Sequence, residues 1–530
     1  MNKLISLIIS MIILFNFSAT ISSLEYSISI LDSSDTLYVG GSGPGNYSTI
    51  QLAIDDANDG DTVFVYNGTY HENIFIYKSI NLIGENRYNT TIDGDTGGSI
   101  YHIMDISNSS VTIKNFTIQN ADQAHWTGGI KIHGASLRDI NVYECEIRNN
   151  SNAILLDFDF LSNVSINNCH IYENAGSSIS FNPDTPSSNC NNITIQKGIL
   201  HNNGCGIVIY STGIIPNSNI QILGCEVYSN SGDAISLHVT NDIKIENNEF
   251  YDNTGFGFHG FNVKNFVFQN NLVSNNTFSG LLAFGSSDNF SNISIHKNDI
   301  TKNGKVIESS GSGIIISGCK NNSVNISENI VDLNLETGIE ISKTSGAIIK
   351  NNVISYNSDD GILIEDSSNN EIFGNIIDGN RNGINFRGKS NNSNIFENNI
   401  ENNHYGIDLF GNYYGNVVYH NNFVNNDQNA LCLGYNQWYN AGIEEGNYWD
   451  NYDGIDIFPR DGIGDKPYRI HGGPSLDEYP LMKPYGKSKS IRNNLIDEPQ
   501  NQIFNQQYQK IISLLRNFRL FIDRLLQTFG

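Results

Sequence analysis

Residues 324–424, VNISENIVDLNLETGIEISKTSGAIIKNNVISYNSDDGILIEDSSNNEIFGNIIDGNRNGINFRGKSNNSNIFENNIENNHYGIDLFGNYYGNVVYHNNFV, decide the fold of this chain. An apolar anchor recurs at Ile326, Ile349, Ile372, Ile395 and Val418, a step of 23 residues each time. Asn follows each anchor three residues later (Asn329, Asn352, Asn375, Asn398, Asn421) and again eight residues later (Asn334, Asn357, Asn380, Asn403, Asn426). A fixed period of this length marks a solenoid of stacked repeats.

Inside each repeat, runs of three or four residues rich in Ile, Val and Phe, such as Val417-Val418-Tyr419, carry the period-2 pattern of short strands. Asn and Gly fall between the runs, where left-handed backbone conformations are wanted. One such turn cannot bury its apolar face alone, but coils stacked at about 4.8 Å bury a continuous core and pair every strand above and below. Asn residues at one depth then stack and pass side-chain amide hydrogen bonds along the axis, so each buried polar group is satisfied by its own copies. The expected fold is an all-β parallel β-helix.

The 530-residue length therefore belongs to one elongated body rather than to several domains. Charged residues make up only 16% and the net charge is -25, which argues against nucleic acid or anionic lipid as partners of the main body. Seven Cys, an odd count without a CxxC pair, are not a disulfide framework. Cys145, Cys169 and Cys225 occupy the slot where later coils carry Asn and read as a stack of buried thiols. Residues 1–23, with Lys3, an apolar run from Leu4 to Phe17 and then small residues, read as a secretory signal peptide, placing the mature chain outside the cytoplasm. Sequons at Asn67, Asn89, Asn115, Asn163, Asn192, Asn292 and Asn325 fit that location.

Residues 36–110 read as an end cap and first coils: a strand at Tyr38-Val39, a short helix through Ile50, Ile54 and Ala57 capped by Ser48, and a strand at Thr62–Val65. The text TIQLAIDDANDGDTVFVYNGTYHENIFIYKSINLIGEN resembles the opening of right-handed parallel β-helix proteins of the pectate-lyase-like group, which implies the hand of the solenoid. Repeats fill 111–436, with anchors from Ile113 to Ile295 spaced 23 to 31 apart and the extra residues looped out of the coil. About fourteen turns are expected, a rod roughly 65 Å long. Residues 437–483, with EEGNYWDNYDGIDIFPRDGIGDKPYRIHGGPSLDEYPLM, resemble the closing segment of NosD-type β-helix proteins, a family named for periplasmic copper delivery, and of archaeal surface proteins. Copper chemistry wants clustered His, Met or Cys, and the His residues here share no column. A polar linker (484–507) leads to Tyr508–Gly530, a basic amphipathic helix suited to the β-helix itself, a membrane surface or another envelope component.

Because coils superpose, a site is assembled from equal offsets on successive turns. Nine to eleven residues after the anchor, consecutive coils present Glu336, then Asp359 and Asp360, then Arg381, then His404, a grouping able to bind Ca²⁺ and an acidic sugar or to supply the acid and base for a glycosidic bond. The Gly-His-Gly motif of polygalacturonases and an epimerase-like Asp-Pro-His-Asp are absent. Six residues after the anchor, Tyr172, His201, Tyr228 and Tyr251 form an outward column whose rings could stack on sugars. Asp453, Asp456, Asp461 and Asp465, around Gly454 and Gly462, offer oxygen ligands for Ca²⁺. The expected function is a secreted or cell-surface, non-catalytic protein that binds or organises extracellular polysaccharide or envelope components. The alternatives are a polysaccharide lyase or glycoside hydrolase and a NosD-like copper accessory protein.

Overall fold

The computed structural model describes residues 34–94, 102–122, 127–181, 188–211, 215–285, 290–305, 310–319, 323–411 and 413–486. The expected signal peptide, most of the expected linker and the expected amphipathic helix over Tyr508–Gly530 lie outside the described residues. What remains is a parallel β-solenoid of about sixteen turns, close to the expected fourteen.

Three faces run along the rod. One is a sheet of sixteen short strands, from Gly68–Tyr70 to Tyr448–Trp449, each pairing in parallel with the next coil. The other two merge into one sheet because Ile235–Glu246 and Phe258–Gln269 continue as single strands across the corner between them. Core positions are filled by in-register aliphatics, as where Ile339, Ile362, Ile384 and Ile407 stack on successive coils, all fully buried. Outward residues alternate with them, as the period-2 reading requires.

The corners explain the two Asn columns. A residue in the left-handed region precedes every ladder Asn except Asn447, for example Glu328 (φ 57°) before Asn329 and Leu333 (φ 55°) before Asn334. Neither is Gly or Asn, so the turn is not set by backbone tolerance alone, and the buried amide beside it holds a conformation that costs an L-residue about 1–2 kcal/mol. Asn375 is typical. Its Nδ2 donates to Asn398 Oδ1 (2.9 Å) and to the Ile349 carbonyl (2.9 Å), while its Oδ1 accepts from the Asn352 backbone N–H (2.9 Å) and Nδ2 (3.0 Å). One ladder runs from Asn248 to Asn447, opened by the Cys225 N–H donating to Asn248, and the second runs from Asn150 to Asn426. Cys145, Cys169 and Cys225 are buried free thiols.

Both ends are covered. At the N-terminal end the helix Ile50–Asp56 lays Ile50, Ala53 and Ile54 over the first coil. Its cap is Thr49 rather than Ser48, and the Glu72 carboxylate accepts from the Ile50 and Gln51 N–H groups (2.9 and 3.0 Å), supplying the acceptors that a helix start lacks. At the other end Trp449 stacks on Phe423 (ring centroids 4.3 Å) and on Tyr468 (4.2 Å), and Tyr468–Arg469 pairs antiparallel with Leu476–Asp477.

Candidate functional site

Asp359 and Asp360 enter the strand Asp360–Glu365, and the next coil brings Arg381, Asn382, Asn385 and Arg387 against them. Asp360 is fully buried. Its carboxylate accepts from Asn382 Nδ2 (2.6 Å), Asn385 Nδ2 (3.0 Å) and Arg387 Nη2 (3.1 Å). Burial pushes its pKa up, with the neighbouring Asp359 charge adding to the rise and the Asn382, Asn385 and Arg387 contacts opposing it. Asp359 accepts from Arg381 Nη1 (3.1 Å) and lies 3.8 Å from Arg387. Glu336, one coil earlier, turns its carboxylate to the Gly311 N–H (2.9 Å), and His404 pairs with Asp427 (2.8 Å) on the following coil. The sequence grouping is thus met for Asp359, Asp360 and Arg381, while Glu336 and His404 are engaged by other partners. Asn382, Asn385 and Arg387 complete the network from within the next strand, a contribution that turn offsets alone did not reveal.

Tyr172, His201, Tyr228 and Tyr251 do form one column on the sixteen-stranded face. Their rings stack on one another, with centroids 5.3, 4.8 and 4.8 Å apart and interplanar angles of 7°, 15° and 4°. Ring faces inside the column are covered by the neighbouring rings, so it presents edges and polar tips. The Tyr172 hydroxyl donates to Glu146 (2.5 Å) and the Tyr251 hydroxyl to Glu226. Burial and the Glu146 contact push the Tyr172 pKa up to about 12. His201 and His170 share one hydrogen bond between their Nε2 atoms (2.8 Å).

In the acidic end loop, Asp456 accepts from the Gly462 N–H (2.9 Å), Asp461 from the Ile463 N–H (3.0 Å) and Asp465 from the Ile457 N–H (2.8 Å), while Asp453 lies 3.6 Å from Lys466. Three of the four carboxylates fix the fold of their own loop. Among the described residues no group of three or more His, Cys, Asp or Glu converges as a metal site.

The richest surface is the face made by the strands that hold the recurring pairs Gly338-Ile339, Gly361-Ile362, Gly383-Ile384 and Gly406-Ile407 and their counterparts on earlier coils, the Gly-Ile face. Its outward positions run, in register, Asp105, Lys131, Leu155, Ser180, Val208, Ser236, His259, Leu282, Ile315, Glu340 and Leu363. Leu155, Val208, Ile315 and Leu363 are each under a tenth exposed although they point away from the core (5%, 7%, 8% and 5%). Beside them the second outward row carries His133, Asp157, Tyr210, His238, Phe261 and Phe284. His238 packs on Tyr210 (4.3 Å) and Phe261 (5.8 Å), and burial pushes its pKa down to about 4, so it is a neutral imidazole. His259 contacts Asp233 (3.2 Å). Near the N-terminal end His133 Nε2 lies 2.6 Å from Asp105, and Lys131 Nζ lies 3.0 Å from Asp157. The Asp360–Arg387 network lies beside this same face, since Asn385 and Arg387 continue its two outward rows.

A family model described as right handed beta helix region matches residues 213–300, and one described as periplasmic copper-binding protein (NosD) matches residues 284–454. The chain is a right-handed parallel β-helix, and its residues 284–454 are similar to the NosD family. Solved structures similar to this β-helix protein include the Azotobacter vinelandii mannuronan C-5 epimerase AlgE6 A-module, 15% identical, covering 74% of this chain and 93% of that one at a TM-score of 0.37. Others are the catalytic unit of a GH87 alpha-1,3-glucanase from Streptomyces thermodiastaticus (11% identical, 70% and 66% covered, TM-score 0.41) and PfbA, a surface adhesin of Streptococcus pneumoniae (14%, 64% and 87%, TM-score 0.32). Likeness at this level assigns no activity. No curated protein matches the chain at a significant level. The donor set of the described residues within 284–454 does not fit copper, because the imidazoles are spent singly on carboxylates, as in His404–Asp427 and His420–Glu445 (2.7 Å), with no third donor converging.

Proposed function

We propose that this protein is a secreted or cell-surface β-helix protein that binds an extended polysaccharide along the Gly-Ile face. The observation that carries the reading is the make-up of that face, where enclosed aliphatics, the aromatic run Tyr210, His238, Phe261 and Phe284, and charged groups at both ends repeat coil after coil. A polymer lying parallel to the axis meets equivalent positions at each β spacing of about 4.8 Å, and sugar-binding surfaces combine apolar contact with a few placed polar groups. Binding is favoured over bond cleavage at Asp359 and Asp360, because the Asp360 carboxylate is enclosed by three donors and meets no ligand directly. The self-stacked Tyr172–Tyr251 column braces the opposite sheet. Calorimetry of the full chain with neutral and acidic polysaccharides, with and without Ca²⁺, tests the reading. Saturable binding of at least one polymer is expected, and no binding to any member of a broad panel would overturn it.

A further inference from the structure

At the N-terminal end of the Gly-Ile face, four ionisable side chains from three consecutive coils meet: Asp105, then Lys131 and His133, then Asp157. His133 Nε2 lies 2.6 Å from Asp105, and Lys131 Nζ lies 3.0 Å from Asp157. The His133 side chain is 42% exposed, whereas Asp105, Lys131 and Asp157 are each about a fifth exposed (18%, 20% and 20%). An accessible imidazole is thus seated on an enclosed carboxylate, beside an enclosed ion pair. His102 completes the surroundings: its Nδ1 accepts from the Gly128 N–H (2.9 Å), and burial, aided by the Lys131 charge, holds its pKa down.

Resting on the glycan-binding reading, we propose that His133, oriented by Asp105, is the base of a hydrolytic centre that removes ester-linked acyl groups from the bound polysaccharide. His133 faces Asp105 through its Nε2 edge at ion-pair distance, which leaves Nδ1 as the ring nitrogen turned away from that carboxylate and placed to act as the base. A glycosidase needs one carboxyl as proton donor and another as base or nucleophile. Here both carboxylates are bound to cationic or basic partners, and the imidazole is the group suited to take a proton and return it. Ester hydrolysis requires that cycle. The oxygen of water bonds to the acyl carbon as His133 takes its proton, and the resulting oxyanion is stabilised by the Lys131 ammonium, two residues away on the same strand face, roughly 6.6 Å. The bond from the acyl carbon to the sugar oxygen then breaks, and His133 returns the proton to that oxygen, releasing a carboxylic acid and a free hydroxyl. Asp105 is a positioning residue, and Asp157 holds the Lys131 side chain.

The test is acetate release from acetylated xylan and acetylated glucomannan by the full chain, with retention of the same polymers measured in parallel. His133→Gln is expected to lower release at least a hundredfold, a far larger loss than any change in polymer retention, which should stay within about threefold, with the melting temperature unchanged. Asp105→Asn is expected to lower kcat about tenfold and to displace the acid limb of the pH profile, with Asp105→Glu recovering part of the rate. Retention without acetate release, or release undiminished by His133→Gln, overturns the centre. Release without measurable retention sustains the centre and overturns the binding reading instead.

Discussion

Asn447, the last amide of the ladder that begins at Asn248, ends on the carboxylate of Asp477. Oδ2 of Asp477 accepts from the Asn447 N–H (2.8 Å) and Nδ2 (3.3 Å) and from Trp449 Nε1 (2.9 Å), while Oδ1 accepts from the Tyr479 N–H (3.1 Å). A stack of amides always leaves unused donors at one end, and a fully buried carboxylate from the closing segment accepts them here. Asp477→Ala strands several buried donors at about 1–3 kcal/mol each, not fully additive. The expected result is a loss of roughly 3–5 kcal/mol in denaturant unfolding, with hydrogen exchange rising first in the last coils. Unchanged exchange there would show that the carboxylate is not the closure.

The same residue gives a pH dependence. Burial pushes the Asp477 pKa up to about 6, against an ordinary value of 3.8, the four donors only partly offsetting it. The unfolded chain therefore releases this proton first as pH rises. The stabilising contribution is complete below about 4 and is lost as pH climbs through 6, an effect of roughly 2–3 kcal/mol. Relief of charge repulsion at net charge -25 acts in the same direction, so the comparison that isolates Asp477 is Asp477→Asn, whose melting temperature should vary less between pH 4.5 and 7.5. Parallel pH profiles for the two proteins would assign the effect elsewhere.

Asn375→Leu interrupts the ladder in mid-rod. Asn352 loses the acceptor for both its N–H and its Nδ2, and Asn398 loses the Nδ2 donor while keeping the backbone N–H of residue 375. A decrease of about 2–5 kcal/mol is expected, read as a lower denaturation midpoint. The exposed neighbour Glu371 has no such role, and Glu371→Leu should move the midpoint little.

Asp360 is expected to matter for the shape of the face rather than for a chemical step. Asp360→Ala removes the acceptor shared by Asn382, Asn385 and Arg387 and should cost about 2–5 kcal/mol. Arg387→Ala leaves Asp360 with two amide donors and should weaken polymer binding with a smaller change in melting temperature. Calorimetry and thermal melts on the pair separate the two effects.

The ladders and the core were legible because a buried amide and a buried aliphatic both demand the same depth on every coil, and a 23-residue step writes that demand into the text. The Gly-Ile face was harder to read. Its outward row stands thirteen residues after the anchor at Leu155 (from Val142) and fourteen at Glu340 (from Ile326), but eighteen at Lys131 (from Ile113) and twenty at Ile315 (from Ile295), since the turn ahead of the face takes up insertions. Offsets counted from the anchor therefore found the turn residues Asp359, Asp360 and Arg381 and lost Asp105, Lys131, His133 and Asp157. The signal was present as His133 and Asp157, 24 residues apart in register. For the Tyr172–Tyr251 column the sequence showed the alignment but not the ring orientation, which follows from side-chain torsions and the pull of Glu146 and Glu226 on the hydroxyls.

The most direct test of polymer binding along the Gly-Ile face is calorimetric titration of one bound polysaccharide into the wild-type chain, Phe284→Ala and Arg387→Ala on that face, and Tyr228→Ala on the sixteen-stranded face. Phe284→Ala and Arg387→Ala should each show at least a tenfold weaker Kd, and Tyr228→Ala an unchanged Kd. Loss of binding in Tyr228→Ala with the other two unaffected would contradict it.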